Sequence, residues 1–197
     1  MRLGPRLLIA LAVAGSSGAA CAQSIEITAD LAGTIHEGTV LPGTTPTVYI
    51  LARTGGWLPD GVTGAEFWVS GFPTGWFTVV TPNPANTVAL GNPFATVPPL
   101  RANIAFPMCM RPDDNGMVLL YSVVLIPVSV VTDACLTPQV AIPPSNPQYV
   151  TPILSGCDMD LIAPAVGYPF LMNPVTGGCV VAVERTTWGS VKSFYGD

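Results

Sequence analysis

The sequence predicts an antiparallel β-sandwich that ends in a short helix, and three observations support this prediction. Proline (21) and glycine (20) together exceed a fifth of the 197 residues, and proline removes a backbone donor and breaks helices, which argues against a helical bundle. Runs rich in valine, isoleucine and threonine lie between turn residues, as in all-β proteins. Only 10% of the residues are charged and 49% are hydrophobic, a composition typical of a folded domain rather than a disordered chain.

The first 22 residues have the pattern of a bacterial export signal. A positive start at Arg2 and Arg6 and an apolar run over residues 7–14 precede an A-x-A motif that ends at Ala22, so we expect cleavage before Gln23. The protein is therefore predicted to be exported and to be periplasmic, cell-surface or secreted.

Cys21 leaves a second interpretation of this segment open. Gly18-Ala19-Ala20-Cys21 resembles the end of a bacterial lipoprotein signal, in which the cysteine becomes a lipid anchor. No other segment is predicted to span a membrane, because the apolar stretch 117–131 is shorter than the roughly 20 residues that a spanning helix needs.

The charge balance excludes two classes of partner. Cleavage would remove two of the seven basic residues and none of the twelve acidic ones, so the mature chain would be strongly acidic. Because it has no cluster of lysine or arginine, we predict neither a nucleic-acid partner nor electrostatic binding to anionic lipid.

Four cysteines of the predicted mature chain, Cys109, Cys135, Cys157 and Cys179, are expected to form two disulfides, because an even number in an exported chain is typical of disulfide bonding. Three pairings are possible. The sequence favours Cys109–Cys135 with Cys157–Cys179, since each would close a loop of about 25 residues between neighbouring elements. A metal site is disfavoured because the chain has no C-x-x-C pair.

The first part of the domain, which we place at residues 23–184, is predicted to be rich in strands. Alternation of apolar and polar residues predicts strands over residues 25–27, 65–70 and 102–108. Short apolar or β-branched runs bounded by turn residues predict further strands over 48–52, 76–81, 87–90 and 118–126. Asn115-Gly116 favours a tight turn, so we expect residues 102–126 to form a hairpin. Its return strand is apolar on both faces, which predicts a central position in a sheet.

The remainder of the chain has weaker patterns. Closely spaced prolines make residues 132–178 a loop-rich elaboration, with one strand predicted at 149–154 and another at 180–184. Within the last segment, 185–197, the side chains of Trp188, Val191 and Tyr195 recur at helical spacing, which predicts a short C-terminal helix.

The motifs between residues 48 and 131 resemble the cohesin family of bacterial extracellular, immunoglobulin-like sandwiches. They are a G-x-x-F-x-V-S strand at residues 64–70, an I-A-F strand at 104–106, and an N-G turn followed by a long apolar strand at 115–131. Cohesins bind calcium-loaded dockerin modules through one sheet face, so the resemblance implies a sandwich with an interaction role. It carries over no individual binding residue.

No catalytic residue is predicted. His36 is the only histidine, and its Gly/Thr-rich surroundings predict a surface loop, so a serine or cysteine nucleophile lacks an evident base. Glu66 is the most plausible inward-facing acid for a hydrolase, but twelve acidic residues in an exported chain are mainly surface charge.

Aspartates provide weak calcium candidates. Asp113 and Asp114 form one pair and Asp158 and Asp160 another, and carboxylate oxygens are the ligands that calcium prefers. Neither stretch completes a calcium-binding loop motif, which favours plain turns. No cofactor is predicted.

Three tryptophans, Trp57, Trp68 and Trp76, form the remaining candidate site, a platform of rings that could stack on sugars or bind a partner. The alternative, which the sequence favours, is that these rings fill the core. The sequence thus predicts an exported, non-catalytic module with a structural or protein-interaction role at the envelope or outside the cell. The alternative is a carbohydrate-binding module that uses these tryptophans. The partner would be a protein or a polysaccharide.

Overall fold

A computed structural model describes residues 23–55, 58–85, 87–158 and 162–179, which form strands and turns with no helix. The strands are β1 (Ser24–Thr28), β2 (Glu37–Gly38), β3 (Thr47–Arg53), β4 (Val62–Ser70), β5 (Phe77–Pro82), β6 (Val88–Gly91), β7 (Ala102–Met110), β8 (Met117–Ile126), β9 (Ala134–Gln139), β10 (Ile153–Gly156), β11 (Ile162–Pro164), β12 (Val166–Tyr168) and β13 (Phe170–Met172).

Two sheets form the predicted sandwich. The first has five strands in the order β12-β1-β3-β8-β5, and the second has eight, with the path β11-β10-β4-β9-β13-β2 and with β7 and β6 on the other side of β4. Most pairs are antiparallel, as predicted, but β1 with β12 and β13 with β2 are parallel. In the part of the chain that the structure describes, no helix has the length and hydropathy that crossing a membrane requires.

The core lies between the inner faces of the two sheets. The side chains of Ala65, Phe67 and Val69 on β4 are buried there, which confirms the alternation predicted for this strand. The Phe67 ring meets the ring of Tyr121 from the opposite sheet edge-on, with centroids 6.0 Å apart. Burial raises the pKa of Tyr121 to about 12, so this phenol is neutral at physiological pH.

The predicted hairpin over residues 102–126 is wrong. The turn exists, with the amide of Gly116 donating to the carbonyl of Asp113 at 2.9 Å, but its two strands enter different sheets. Strand β8 is paired on both edges by β3 and β5, and β7 is paired on both edges by β4 and β6. The prediction of a central position for β8 is confirmed.

The segment 132–178 is more ordered than its prolines suggest, because it contains the five short strands β9 to β13. Prolines lie at or near the strand ends, where a missing donor costs least. The strand predicted at 149–154 starts only at Ile153. The export signal, the strand predicted at 180–184 and the helix predicted at 185–197 lie outside the described residues.

The four cysteines form two disulfides, but the favoured pairing is wrong. Cys109 is bonded to Cys157 and Cys135 to Cys179, with Cα–Cα distances of 5.1 and 5.7 Å. Cys109 lies on β7 and Cys157 follows β10, the two strands that flank β4, and the register is irregular on both sides where β4 begins. Cys135 lies on β9, which pairs with the strand that precedes Cys179. The cysteines are therefore paired according to where their strands lie in the sheet, whereas the prediction paired cysteines that are close in sequence.

We predict that non-reducing peptide mapping will find Cys109 linked to Cys157, and Cys135 linked to Cys179. Replacing Cys109 and Cys157 together by serine should lower the free energy of unfolding by about 4 kcal/mol, because the bond closes a loop of 48 residues. Urea denaturation of the variant and the wild type measures the difference. A peptide joining Cys109 to Cys135 would contradict the observed sheet arrangement.

Candidate functional site

A groove of about 610 Å³ runs over the outer face of the eight-stranded sheet, and we call it the sheet-face groove. It crosses β7, β4, β10 and β11. Its lining residues are Thr63, Gly64, Ala65, Glu66, Asn103, Ile104, Ala105, Phe106, Pro107, Met108, Cys109, Ser145, Tyr149, Ile153, Ser155, Cys157 and Ile162.

Strand alternation and register place the floor of the groove. Because Phe67 on β4 points into the core, its neighbour Glu66 points to the outer face. Two rows of paired residues cross β6, β7, β4, β10 and β11 on this face. They are Leu90, Asn103, Glu66, Ile153 and Pro164, and Val88, Ala105, Gly64, Ser155 and Ile162.

Gly64, which has no side chain, lets β4 and β7 lie close together under the groove. A Cβ atom at this position would lie 2.7 Å from the carbonyl oxygen of Ile104. Any larger residue would push β4 and β7 apart at the point where both line the groove.

Among the described residues that line the groove, Glu66 is the one charged residue, and only 7% of it is exposed. Its Oε1 accepts a hydrogen bond from the backbone amide of Ser145 at 2.8 Å. With its amide nitrogen turned toward the carboxylate, Asn103 donates to Oε2 at 3.1 Å. Among the described residues, no lysine, arginine or histidine forms an ion pair with Glu66. The carboxylate is thus solvated by two neutral donors but not neutralised by a cation.

Apolar side chains surround this carboxylate. Met108 and Ile162 are exposed and line the groove, while Val88 and Leu90 are exposed on the adjoining strand β6. Several exposed apolar side chains on one face of a folded domain are typical of an interaction site.

A second polar cluster lies under the outer surface of the five-stranded sheet, around Glu26. Arg53 donates to both carboxylate oxygens of Glu26, at 2.5 and 3.1 Å, and the hydroxyl of Ser24 donates to Oε1 at 2.6 Å. His36 Nε2 lies 3.6 Å from Oε2. The cluster connects β1, β3 and the segment that leads into β2, so it fixes that segment to the sheet.

His36 lies in the loop before β2, as the sequence predicted, with its side chain 36% exposed. Its ring lies 6.2 Å from that of Tyr168 at the edge of a pocket of about 580 Å³. The hydroxyl of Ser24 donates to Glu26 rather than to His36. The cluster therefore lacks the order of groups in which histidine activates a serine nucleophile.

Of the three candidate tryptophans, the two that the structure describes, Trp68 and Trp76, differ in burial. Trp76 is only 5% exposed and lies in the core, where its indole N–H donates to Ser129 Oγ at 3.1 Å. Trp68 is half-buried, and its N–H donates to the carbonyl of Ala95 at 2.9 Å. Trp57 lies outside the described residues. The platform prediction is wrong for Trp76, because that ring is needed to fill the core.

The calcium candidates are placed as follows. Asp113 Oδ1 accepts the amides of Asn115 and Met117, both at 2.9 Å. Desolvation raises its pKa and these hydrogen bonds lower it, with a net lowering. Asp114 and Asp158 are exposed and Asp160 lies outside the described residues. Among the residues that are described, no group of three or more histidine, cysteine or acidic side chains could hold a metal ion.

The sequence contained only part of the signal for the groove. The position of Glu66 in an otherwise apolar strand indicated a special environment, but the residues that surround it come from distant segments. Ser145 is 79 positions away in the chain, and Ile162 reaches the groove only because β11 pairs with β10.

Solved structures similar to this chain include cohesin modules. One is the cohesin module of a family 33 glycoside hydrolase from Clostridium perfringens, with a TM-score of 0.52, 12% identity, and coverage of 78% of this chain and 98% of that one. A second is the cohesin of a type I cohesin–dockerin complex with OlpA of Clostridium thermocellum, with a TM-score of 0.49, 9% identity, and coverage of 78% of this chain and 99% of that one. A third is the sixth scaffoldin B cohesin of Acetivibrio cellulolyticus, in complex with a dockerin, with a TM-score of 0.47, 13% identity, and coverage of 78% of this chain and 99% of that one.

The likeness to the Clostridium perfringens module confirms the fold class, an all-β sandwich of the cohesin type. It confirms the resemblance drawn from the sequence at the level of fold. No protein-family model matches the chain, and no curated protein matches it.

We predict that Trp76→Ala will lower the free energy of unfolding by about 3–5 kcal/mol, because it leaves a large cavity in the core. Trp68→Ala should cost about 1–2 kcal/mol, since that ring is half-buried. Denaturant titration of both variants measures the costs. Trp76→Phe is the control, because it keeps a ring and removes only the N–H. Equal costs at the two positions would contradict the different burial.

We further predict that Arg53→Met will lower the free energy of unfolding by about 3–5 kcal/mol, because Glu26 would remain buried without its cation. Adding Glu26→Gln to this variant should restore part of the loss. Chemical denaturation of the two single variants and the double variant gives the coupling energy. Additive costs would show that Glu26 and Arg53 do not act as a pair.

Proposed function

We propose that this protein is an exported, non-catalytic module that binds a protein partner through the sheet-face groove. The observation that carries the proposal is the Glu66 carboxylate, which is buried in the groove and has no ion-pair partner among the described residues. The two disulfides support export, since such bonds persist in oxidising compartments. The predicted signal at residues 1–22 supports it independently.

The chemistry of the groove specifies what the partner must offer. Burying the Glu66 carboxylate until it is 7% exposed costs hydration free energy, and hydrogen bonds from neutral donors offset only part of this cost. A lysine or arginine inserted from a partner would neutralise it and complete its hydrogen bonds. The exposed Met108 and Ile162 would pack against apolar side chains that flank the inserted base. We infer a partner with a basic residue in an apolar surround.

A photo-crosslinking experiment in the native envelope tests this proposal. A benzophenone amino acid replaces Met108, which lines the groove, or Val175, which lies away from it, and the two positions are equally exposed at 68% each. We expect a discrete higher-mass adduct from position 108 only. Equal adducts from both positions, or none from position 108, would contradict the proposal.

A charge test separates the basic partner from other proteins. Glu66→Gln preserves the shape and removes the charge; its amide oxygen can still accept from Ser145, and Asn103 can turn its own oxygen toward the new NH2. It should weaken the adduct formed from position 108 by at least about tenfold. Glu37→Gln, at an exposed carboxylate outside the groove, is the matched control and should change nothing. An unchanged adduct in Glu66→Gln would show that the partner does not use this carboxylate.

The carbohydrate alternative retains Trp57 and Trp68 as its candidate rings. A glycan array tests it directly. Binding that is lost in Trp68→Ala, together with no adduct from position 108, would favour a carbohydrate-binding module over the proposal made here.

A further inference from the structure

Strand β5 forms one edge of the five-stranded sheet and leaves backbone groups unpaired. It pairs with β8 alone. The amide of Asn83 donates to the carbonyl of Leu120 at 2.9 Å, in the same register as the β5–β8 pairs. Because hydrogen-bonded and non-hydrogen-bonded positions alternate, Phe77, Val79 and Thr81 bond to β8. The amides and carbonyls of Thr78 and Val80 therefore point away from the sheet, and among the described residues nothing pairs with them.

This edge also lacks the usual protection against association. Natural edge strands are commonly guarded by charged side chains, yet residues 67–100 contain no aspartate, glutamate, lysine or arginine. This is the longest uncharged run in the chain. On the outer face of β5 the side chains of Phe77 and Val79 are 63% and 53% exposed. The edge is thus apolar, uncharged and open.

The ends of β5 limit any added pairing to a short ladder. At one end, the amide of Trp76 already donates to the carbonyl of Pro73 at 3.2 Å. At the other end, Pro82 has no N–H to donate. Only Thr78 and Val80 offer both a donor and an acceptor, and they are placed symmetrically about Val79.

We propose that two copies of this chain associate by antiparallel pairing of their β5 strands, with the two-fold axis at Val79. Thr78 of each copy then pairs with Val80 of the other, which gives four backbone hydrogen bonds. Val79 faces Val79 of the second copy, and Phe77 faces Thr81, in the close cross-strand contacts that stabilise sheets. The two five-stranded sheets become one continuous sheet.

Charge and symmetry identify the partner as a second copy rather than an unrelated strand. The chain has a net charge of −5, so two copies repel each other over most orientations. The uncharged side of β5 is where two acidic copies can approach without bringing carboxylates together. The symmetric placement of the available groups about one residue matches an isologous two-fold interface.

Sedimentation equilibrium of the mature chain, over concentrations from about 1 µM to 1 mM, tests the proposal. We expect a monomer–dimer equilibrium for the wild type. Val79→Lys should weaken dimerisation at least about tenfold, because it brings two like charges together at the axis. Val175→Lys, at an exposed valine away from β5, is the control and should dimerise as the wild type does. Thermal melting confirms that both variants fold.

A cysteine at the axis tests the geometry. Val79 of the two copies would form a non-hydrogen-bonded antiparallel pair, with Cβ atoms about 4.5–5.5 Å apart. Mild oxidation of Val79→Cys should therefore give a disulfide-linked dimer through position 79, while Val175→Cys should not. A wild type that stays monomeric throughout, or a dimer that Val79→Lys leaves unchanged, would overturn the proposal. A dimer that does not link through position 79 would also overturn it. None of these outcomes depends on whether position 108 crosslinks to a partner.

Discussion

The register of β4 is the constraint on which both the core and the groove depend. Phe67 on this strand fills the core against Tyr121, and its neighbour Glu66 lies on the opposite face. A shift of one residue would move Glu66 into the apolar interior and Phe67 to the surface. The cost of burying a carboxylate there forbids the shift. The alternation of side chains along β4 therefore places Phe67 in the core and the Glu66 carboxylate in the groove at the same time.

The disulfides perform a related task for the second half of the domain. Strands β10 to β13 have three or four residues each, too few for strong pairing by themselves. The bonds join Cys157 to Cys109 and Cys179 to Cys135, so each ties a late segment to a longer, earlier strand. Because β10 and β11 form one side of the groove, its shape depends on the Cys109–Cys157 bond as well as on apolar burial.

The sequence predicted where strands lie, which is a local property, and it missed which strands and cysteines pair, which is a long-range one. Alternation located the strand at 65–70, and apolar runs between turn residues located those at 48–52 and 118–126, because both patterns record local burial. They contain no information about which sheet a strand joins, so the hairpin over 102–126 and the pairing of neighbouring cysteines were wrong. For the same reason the sequence left open whether Trp76 lies in the core or on a surface. An aromatic residue beside a strand has the same local pattern whether a second sheet covers it or not.

The distribution of charge along the chain ties the two proposed surfaces together. The uncharged run 67–100 begins one residue after Glu66, forms the edge strand β5 and then supplies β6 beside the groove. Like-charge repulsion keeps an acidic protein from associating through most of its surface. Where the chain carries no charge, apolar contact meets no such opposition. Since β5 and β6 belong to different sheets, a copy added at one edge extends the five-stranded sheet and leaves the outer face of the other sheet unpaired. The fold can therefore bind a second copy at the β5 edge and a different partner on the outer face of the eight-stranded sheet.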